Sequence, residues 1–327
     1  MKVAIAGAGY IAAIHAKAVQ ANGGEVVAVV EKFPARGKPF AARCSARHYT
    51  TVAEMLKKGE AVDALIIGTP NFLHASQAIA ALKAGLDVLV EKPMAMNAVE
   101  ADKMLAASQK SGTTLMVAHC WRFDEDVLWL RQQTARLGTI LRTKGYGVHV
   151  QWGPAGWFTR KATAGGGALA DMGIHALDTA RFLLGDPQPI SVYARIGTYY
   201  QDFDVDDTGL LIVNWDDGAV SYIESGWWQP HADGPEAATQ LYGRRGFGQL
   251  FPTRIELGKK VVDPGFPFPR KEHCPQSMYD AQMAYFFRCV RSRRTPVPGG
   301  AEGLMNMKIV DAAYQSARTG KVISIRP

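Results

Sequence analysis

The sequence has few cysteines and no long hydrophobic run. Its 327 residues include four cysteines, at positions 44, 120, 274 and 289, with no Cys-x-x-Cys pair and no histidine beside them at metal-ligand spacing. We therefore expect neither a disulfide framework nor a metal site. No apolar run reaches the roughly 18–20 residues that span a bilayer, and the N-terminus lacks a signal-peptide layout. We expect no membrane segment and a cytoplasmic location.

Positive charge is in excess but is not concentrated. The formal net charge is +7, and the densest basic cluster is Arg288, Arg291, Arg293 and Arg294. No nucleic-acid-binding motif accompanies this cluster. We interpret it as a solvated surface and expect no nucleic-acid partner. The composition, 47% hydrophobic and 20% charged, is typical of a globular chain, and the length suits two domains.

The pattern of the chain changes near residue 120. Before that point, short strands that are apolar on both faces alternate with helices, which predicts a Rossmann-type, doubly wound parallel sheet over residues 1–120. Beyond it, long alternating segments and a turn at Asp216-Asp217-Gly218 indicate antiparallel strands. We predict an α/β protein whose second domain, residues 121–327, is α+β. Its large, mostly antiparallel sheet has one face exposed or covered by a partner.

A glycine-rich turn opens the first predicted helix. The segment Gly7-Ala8-Gly9-Tyr10-Ile11-Ala12 follows a strand, so Gly7 can make the tight turn and Gly9 can let backbone approach a pyrophosphate. The free N–H groups of the helix N-terminus, at Tyr10 and Ile11, favour the phosphates. We predict that this segment binds a dinucleotide.

An acidic residue at the end of the second strand bears on the choice of dinucleotide. Glu31 lies 19 residues beyond Ala12, where a carboxylate can bind the ribose 2′-hydroxyl of NAD and repel the 2′-phosphate of NADP. Lys32 and Arg36 lie close by and can accept that phosphate. We favour NAD and leave NADP open.

Two further loops follow predicted strands. One is Thr69-Pro70-Asn71-Phe72-Leu73-His74, and the other is Glu91-Lys92-Pro93. Doubly wound sheets bind ligands at the carboxyl ends of their strands. We therefore assign Thr69, Asn71, His74, Glu91 and Lys92 to the cofactor site. The proline after the lysine gives a rigid turn that can fix it.

A polar stripe follows three glycines at 165–167. Asp171, His175 and Asp178 fall at i, i+4 and i+7, on one face of a helix predicted over residues 168–184. A carboxylate one turn from an imidazole can orient it and stabilise its charged form. We interpret this as a general-base arrangement, in which Asp171 and His175 are catalytic.

These motifs together resemble the glucose–fructose oxidoreductase, inositol dehydrogenase and MocA family, here the Gfo/Idh/MocA family. The resemblance covers the whole chain. It implies that Lys92 contacts both the nicotinamide and the reacting hydroxyl, that Asp171 and His175 complete the catalytic set, and that Asn71 and His74 line the cofactor cleft. It also implies a homodimer or homotetramer paired through the C-terminal sheet.

The substrate implied is a sugar, polyol or cyclitol whose secondary alcohol is interconverted with a ketone. We take His119, Arg122, Trp157 and Tyr279 as substrate residues. Where many members have Asn-x-Arg-Phe, this sequence has Cys120 in place of the asparagine, so one hydrogen-bonding group for a substrate hydroxyl is missing.

Two alternatives use the same fold. One is a glycosidase that retains NAD and acts through transient oxidation. The other is a non-catalytic dinucleotide-binding regulator, which would be expected to have lost Lys92, Asp171 or His175; all three are present.

Overall fold

The computed structural model describes residues 1–232 and 234–325. The chain divides into two compact units. The first comprises Met1–Cys120 and Cys274–Met305, and the second comprises Trp121–His273 and Asn306–Pro327. Residues 274–305 thus belong to the first unit, whereas the sequence analysis assigned them to the second domain. Within the described ranges, no helix is long and apolar enough to cross a membrane.

The first unit is built on a six-stranded sheet in the order β3-β2-β1-β4-β5-β6. Every pairing is parallel, which confirms the predicted Rossmann-type sheet. The central strands are buried on both faces, as their continuous apolar runs predict. The strands are β1 Lys2–Ala6, β2 Glu25–Val30, β3 Arg47–Tyr49, β4 Ala64–Ile67, β5 Asp87–Glu91 and β6 Leu115–Ala118.

Helices lie between these strands along the chain, and a further helix of the unit comes from a later part of the sequence. The helices between the strands are α1 Tyr10–Ala21, α2 Pro34–Arg43, α3 Val52–Lys57, α4 His74–Lys83 and α5 Ala98–Ser111. Helix α9, Gln276–Ser292, returns to this unit and packs on α1. Its buried face includes Met283, Phe286 and Phe287. This apolar face explains why residues 274–305 join the first unit.

The second unit contains a nine-stranded sheet in the order β14-β13-β12-β11-β7-β10-β9-β8-β15. Neighbouring strands are antiparallel except β10 and β7, which are parallel, so the prediction of a mostly antiparallel sheet is confirmed. The strands are β7 Ile140–Val150, β8 Pro189–Gly197, β9 Thr208–Trp215, β10 Val220–Gln229, β11 Ala237–Gly243, β12 Phe247–Gln249, β13 Arg254–Leu257, β14 Lys260–Val262 and β15 Ile323–Ser324.

Two helices of the second unit pack on this sheet, α6 Glu125–Gln133 and α8 Ile174–Leu184. The short helix α7, Lys161–Ala164, belongs to the same unit. Helix α10, Gly300–Thr319, begins in the first unit, and its residues from Asn306 onward belong to the second. A π-helical turn, Leu169–Gly173, leads directly into α8. The sequence pattern predicts one α-helix over this region and does not indicate the wider turn.

Candidate active site

The glycine turn of the first unit has the geometry that a pyrophosphate requires. Gly7 has φ +103°, and a Cβ there would run into the backbone oxygen of Gly68 at the end of β4. Gly9 precedes α1, and a Cβ there would meet nothing within 4 Å. The first turn of α1 has no side-chain cap and no acidic residue. Its N–H groups are therefore open to an anion.

Glu31 follows β2 and is nearly buried. Its Oε1 accepts hydrogen bonds from the Phe33 N–H at 3.1 Å and from Arg36 Nη2 at 2.9 Å. The Arg36 side chain is 62% exposed and its guanidinium lies over the Phe33 ring. Arg36 is the cation that could accept a 2′-phosphate, and Glu31 is the carboxylate that would repel a 2′-phosphate. In the structure these two side chains are paired with each other.

His74 joins the two loops that the sequence assigned to the cofactor. Its Nδ1 lies 2.9 Å from the Pro93 carbonyl oxygen, and its Nε2 lies 2.8 Å from that of Thr69. The ring is 1% exposed, and burial lowers its pKa although both carbonyls favour the charged form. The structure gives His74 a bridging position between the loops, because both ring nitrogens face backbone. Asn71, in the same loop, is buried.

Lys92 lies just beyond the end of β5. It is half-buried, and its backbone N–H donates to Oε2 of Glu91 at 3.2 Å. Thr69, Asn71, His74, Glu91 and Lys92 all lie at the carboxyl ends of β4 and β5, which are neighbours in the sheet. This is the edge at which doubly wound sheets bind ligands.

In the second unit, Asp171 lies on the π-helical turn before α8. Its Oδ2 accepts a hydrogen bond from the Trp227 indole Nε1 at 3.1 Å. Trp227 has no exposed surface and packs in a small core with Ala168 and Met172. Trp227 is therefore a buried support for the carboxylate.

His175 lies in the first turn of α8 and is 8% exposed. Its ring stacks on Trp121, with centroids 5.4 Å apart and an interplanar angle of 21°. Trp121 in turn meets His273 edge-on, at 5.1 Å, and Phe251 edge-on, at 6.2 Å. The imidazole thus has an aromatic wall on one side.

A buried carboxylate fixes the glycine turn that precedes Asp171. Asp206 accepts hydrogen bonds from the Gly167 and Leu169 N–H groups, both at 2.8 Å, and from the Tyr314 hydroxyl at 2.7 Å. A Cβ at Gly166 would clash with that hydroxyl, and one at Gly167 would clash with Asp206. Glycine is needed here because the clamp lies so close to the backbone. Burial raises the pKa of Asp206 although these hydrogen bonds oppose the rise.

Arg122, assigned to the substrate from the sequence, lies in a buried ion-pair network. Its guanidinium makes two hydrogen bonds of 2.8 Å to Asp178 and two, of 2.7 and 3.0 Å, to Asp186. Asn306 donates to Asp178 at 2.8 Å. Burial opposes the charge of Arg122, but the two carboxylates outweigh burial and raise its pKa. Asp178 therefore has different partners from Asp171, although both lie on the polar stripe.

The other substrate residues predicted from the sequence have varied surroundings. His119 is 1% exposed in the first unit. Tyr279, in the same unit, hydrogen-bonds Cys120, and burial is the main cause of its raised pKa. Trp157, in the second unit, is half-buried and stacks on Phe158 at 3.8 Å. Their contact with a substrate stays a prediction. Among the described residues, no cluster of histidines, cysteines or carboxylates could hold a metal ion.

Sequence reasoning missed the contacts of Trp121, Trp227 and Asp206. Each supports a residue that the motifs identified, but each lies far from it along the chain. The one local signal was the pair of adjacent acids at 206 and 207, placed just before β9. Both acids are buried, and buried carboxylates have hydrogen-bond partners.

A parallel sheet with a glycine turn at the start of its first helix is typical of a dinucleotide-binding domain. A family model described as "Oxidoreductase family, NAD-binding Rossmann fold" matches residues 1–119, and a model of the GFO/IDH/MocA C-terminal domain matches residues 132–247. The chain belongs to the Gfo/Idh/MocA family of oxidoreductases.

Individual relatives span nearly the whole chain. D-xylose 1-dehydrogenase (NADP(+)) 2 of Haloferax volcanii is 30% identical, covering 94% of both chains. 1,5-Anhydro-D-fructose reductase of Ensifer adhaerens is 26% identical, covering 94% of this chain and 93% of its own. Among solved structures, GenD2 from gentamicin A biosynthesis in complex with NAD is 25% identical. It has a TM-score of 0.87 and covers 100% of this chain and 97% of its own.

Proposed function

We propose that this protein is an NAD(P)-dependent dehydrogenase that interconverts a secondary alcohol and a ketone on a sugar, polyol or cyclitol. The observation that carries the proposal is the second unit's pair of Asp171 and His175. Each of the two side chains is supported by a tryptophan, Asp171 by a hydrogen bond and His175 by a ring stack. Such preorganised acid–base groups, in a family whose N-terminal domain binds NAD, favour an enzyme over a regulator.

The cofactor site fits a dinucleotide. The positive φ of Gly7 and the open space at Gly9 let backbone approach a pyrophosphate, and α1 offers it free N–H groups. Bound nicotinamide supplies the hydride acceptor or donor. Glu31 and its pairing with Arg36 favour NAD, because a 2′-phosphate would face the carboxylate. NADP stays open, since one relative is named for it.

The proposed roles follow from the chemistry of the side chains. His175 takes the proton of the substrate hydroxyl in oxidation and returns it in reduction. Asp171, one turn earlier on the same helical segment, orients the imidazole. Lys92 stabilises negative charge on the reacting oxygen through its ammonium group. Asn71 and Thr69 complete the cofactor loop that His74 braces.

The substrate class rests on the names of relatives and on the aromatic residues of the second unit. Two of those relatives are named for D-xylose and for 1,5-anhydro-D-fructose. Trp157 is half-buried and presents a flat apolar ring of the kind that stacks on sugar faces. His119 and Tyr279 stay in the proposal as substrate residues, whereas the buried ion pairs of Arg122 with Asp178 and Asp186 favour a structural role for it.

The test is a cofactor and substrate panel. The protein is incubated with NAD or NADP and with aldoses, polyols, cyclitols and sugar acids, and absorbance of the reduced cofactor is followed. Turnover with a member of this panel supports the proposal, and the better cofactor decides the role of Glu31. Release of sugar from a glycoside without net reduced cofactor would instead favour a glycosidase. No turnover in either assay, despite tight cofactor binding, would favour a regulator.

Variants assign the roles. We expect His175→Ala and Lys92→Ala to lose at least about 100-fold in turnover while dinucleotide binding survives, since general acid–base groups contribute about 10²–10⁴-fold. Near-normal turnover in either variant would overturn its assignment.

We propose that two or four copies pair through the large sheet. On β9, Leu210 and Ile212 are 37% and 43% exposed, whereas the alternate residues Leu211 and Val213 are buried. An apolar stripe on an open sheet face is a typical site of association. Light scattering after gel filtration tests this, with Ile212→Lys expected to lower the mass to that of a single chain.

A further inference from the structure

A buried hydrogen bond joins helix α1 to the end of strand β5 in the first unit. His15 Nε2 donates to Oε1 of Glu91 at 2.7 Å. The His15 side chain has no exposed surface, and that of Glu91 is 11% exposed. A hydrogen bond to a carboxylate in such surroundings is stronger than one between neutral groups. The pair therefore fixes the position of the carboxylate.

The other oxygen of the same carboxylate holds Lys92. Glu91 Oε2 accepts the backbone N–H of Lys92 at 3.2 Å. One carboxylate thus contacts helix α1 through His15 and the main chain of the lysine through its second oxygen. Glu91 is a cofactor residue in the prediction from sequence, but in the structure its two carboxylate oxygens contact these two protein groups.

Helix α9 braces His15 from another side. The Tyr279 ring meets the His15 ring edge-on, at 6.0 Å and 89°. Gln276 Nε2 donates to the backbone oxygen of Ile14 at 3.2 Å. Because His15 is held by a ring contact as well as by Glu91, its imidazole has a defined orientation. Helix α1 also begins at the glycine turn. The hydrogen bond between His15 and Glu91 therefore links the helix that faces the pyrophosphate to the residue that precedes Lys92.

We propose that His15 and Glu91 are positioning residues that hold Lys92 in the orientation its reaction requires. The proposal rests on the catalytic role of Lys92 in the proposed function. His15 and Glu91 act on the reaction through the lysine, and neither needs to touch the substrate. Since a displacement of about 1 Å at a reacting group can cost about 100-fold in rate, loss of either contact should lower turnover.

The test is a double-mutant cycle. His15→Phe keeps the ring that meets Tyr279 but loses the hydrogen bond, and Glu91→Gln keeps the volume but loses the charge. We expect each to lower kcat by about 10- to 100-fold, with the dissociation constant for NADH changed by less than about threefold. Combined with Lys92→Ala, each should cause no further loss. Multiplicative losses in the Lys92→Ala background, or unchanged kcat in both single variants, would overturn the proposal.

A matched control is Glu54→Gln. In the same unit, Glu54 also accepts a neighbouring backbone N–H, that of Thr50 at 2.8 Å. This variant should retain wild-type kcat, which shows that the loss at position 91 does not come from weakening any carboxylate–backbone contact.

A measurement without turnover separates this proposal from the proposed function. The protein is labelled with nitrogen-15 lysine. The amide signal of Lys92 is identified as the signal that disappears from the spectrum of the Lys92→Arg variant. We expect Glu91→Gln and His15→Phe to shift that signal and Glu54→Gln to leave it in place. An unshifted signal in both would overturn the positioning role. Shifted signals together with full activity in Lys92→Ala would overturn the catalytic role of Lys92. They would still support the contact between Glu91 and the Lys92 backbone.

Discussion

The imidazole of His175 lies face to face with the indole of Trp121, with ring centroids 5.4 Å apart and planes 21° from parallel. Trp121 is 4% exposed and is itself held edge-on by Phe251. A ring packed against one face of an imidazole restricts its rotation. The stack therefore helps to set the direction in which the ring nitrogens of His175 point.

We expect Trp121→Leu to lower turnover by about 10-fold or more, because a general base works only when its nitrogen is aligned with the proton it takes. Trp121→Phe keeps an aromatic face and should lose less. Steady-state kinetics with the substrate found in the panel measure both. Trp152→Leu is the matched control, since Trp152 also stacks on a histidine, His149, at 3.5 Å. Equal losses in the leucine variants of Trp121 and Trp152 would contradict this prediction.

The hydrogen bond from Trp227 to Asp171 gives a second prediction. Trp227→Phe removes the N–H donor and keeps most of the ring. A lost hydrogen bond to a charged group costs about 1.5–3 kcal/mol, and we expect part of this to appear as a lower kcat.

Trp215→Phe controls for the loss of a buried indole donor. Trp215 is 1% exposed and donates to Ser221 at 2.7 Å in the same unit. Both variants should lower the unfolding temperature, but only Trp227→Phe should lower kcat. A normal kcat in Trp227→Phe would show that Asp171 does not depend on this donor.

The elements that the sequence predicted best have local signals at both ends. Helix α5 over Ala98–Ser111 begins at Asn97, whose side chain caps the Glu100 N–H, and ends at Gly112 with φ +68°. The sequence pattern predicts a helix over residues 98–111 that ends at Gly112, and these bounds agree with the structure. Helix α2 was missed because it contains Gly37 and Pro39, which weaken a helical pattern.

The site could be predicted only where its residues form motifs. The glycine turn, Lys92 and the pair of Asp171 and His175 stand out because their spacing is short. The contact from Trp227 to Asp171 joins residues 56 apart, and that from His15 to Glu91 joins residues 76 apart. No local pattern specifies such contacts, since they depend on which helices and strands pack together. The return of α9 to the first unit was missed for the same reason.

The bridging position of His74 predicts how stability depends on pH. Burial lowers the pKa of His74, so the folded protein binds this proton less readily than the unfolded chain. Such a group stabilises the fold above its unfolded pKa, and this stability is lost as the pH falls through the folded pKa.

The measurement is the free energy of unfolding in urea between about pH 7.5 and about pH 5.5, a window that begins above the unfolded pKa of about 6.5. We expect the wild type to lose stability more steeply toward acid than His74→Gln, which can still donate to one carbonyl but does not titrate. His231→Gln, at an exposed position, should follow the wild type. Parallel curves for wild type and His74→Gln would refute the role of burial.

The network of Arg122 separates a structural role from substrate binding. Its guanidinium is 2% exposed and makes four hydrogen bonds to Asp178 and Asp186. Arg122→Met should lower the free energy of unfolding by about 3–5 kcal/mol, because buried carboxylates lose their counter-charge. Arg254→Met is the control in the same unit: Arg254 pairs with Glu256 at 2.8 Å but is 34% exposed. The control should lose only about 0–1 kcal/mol. If Arg122→Met instead raised KM with normal stability, the guanidinium would bind substrate and the network would be of minor structural importance.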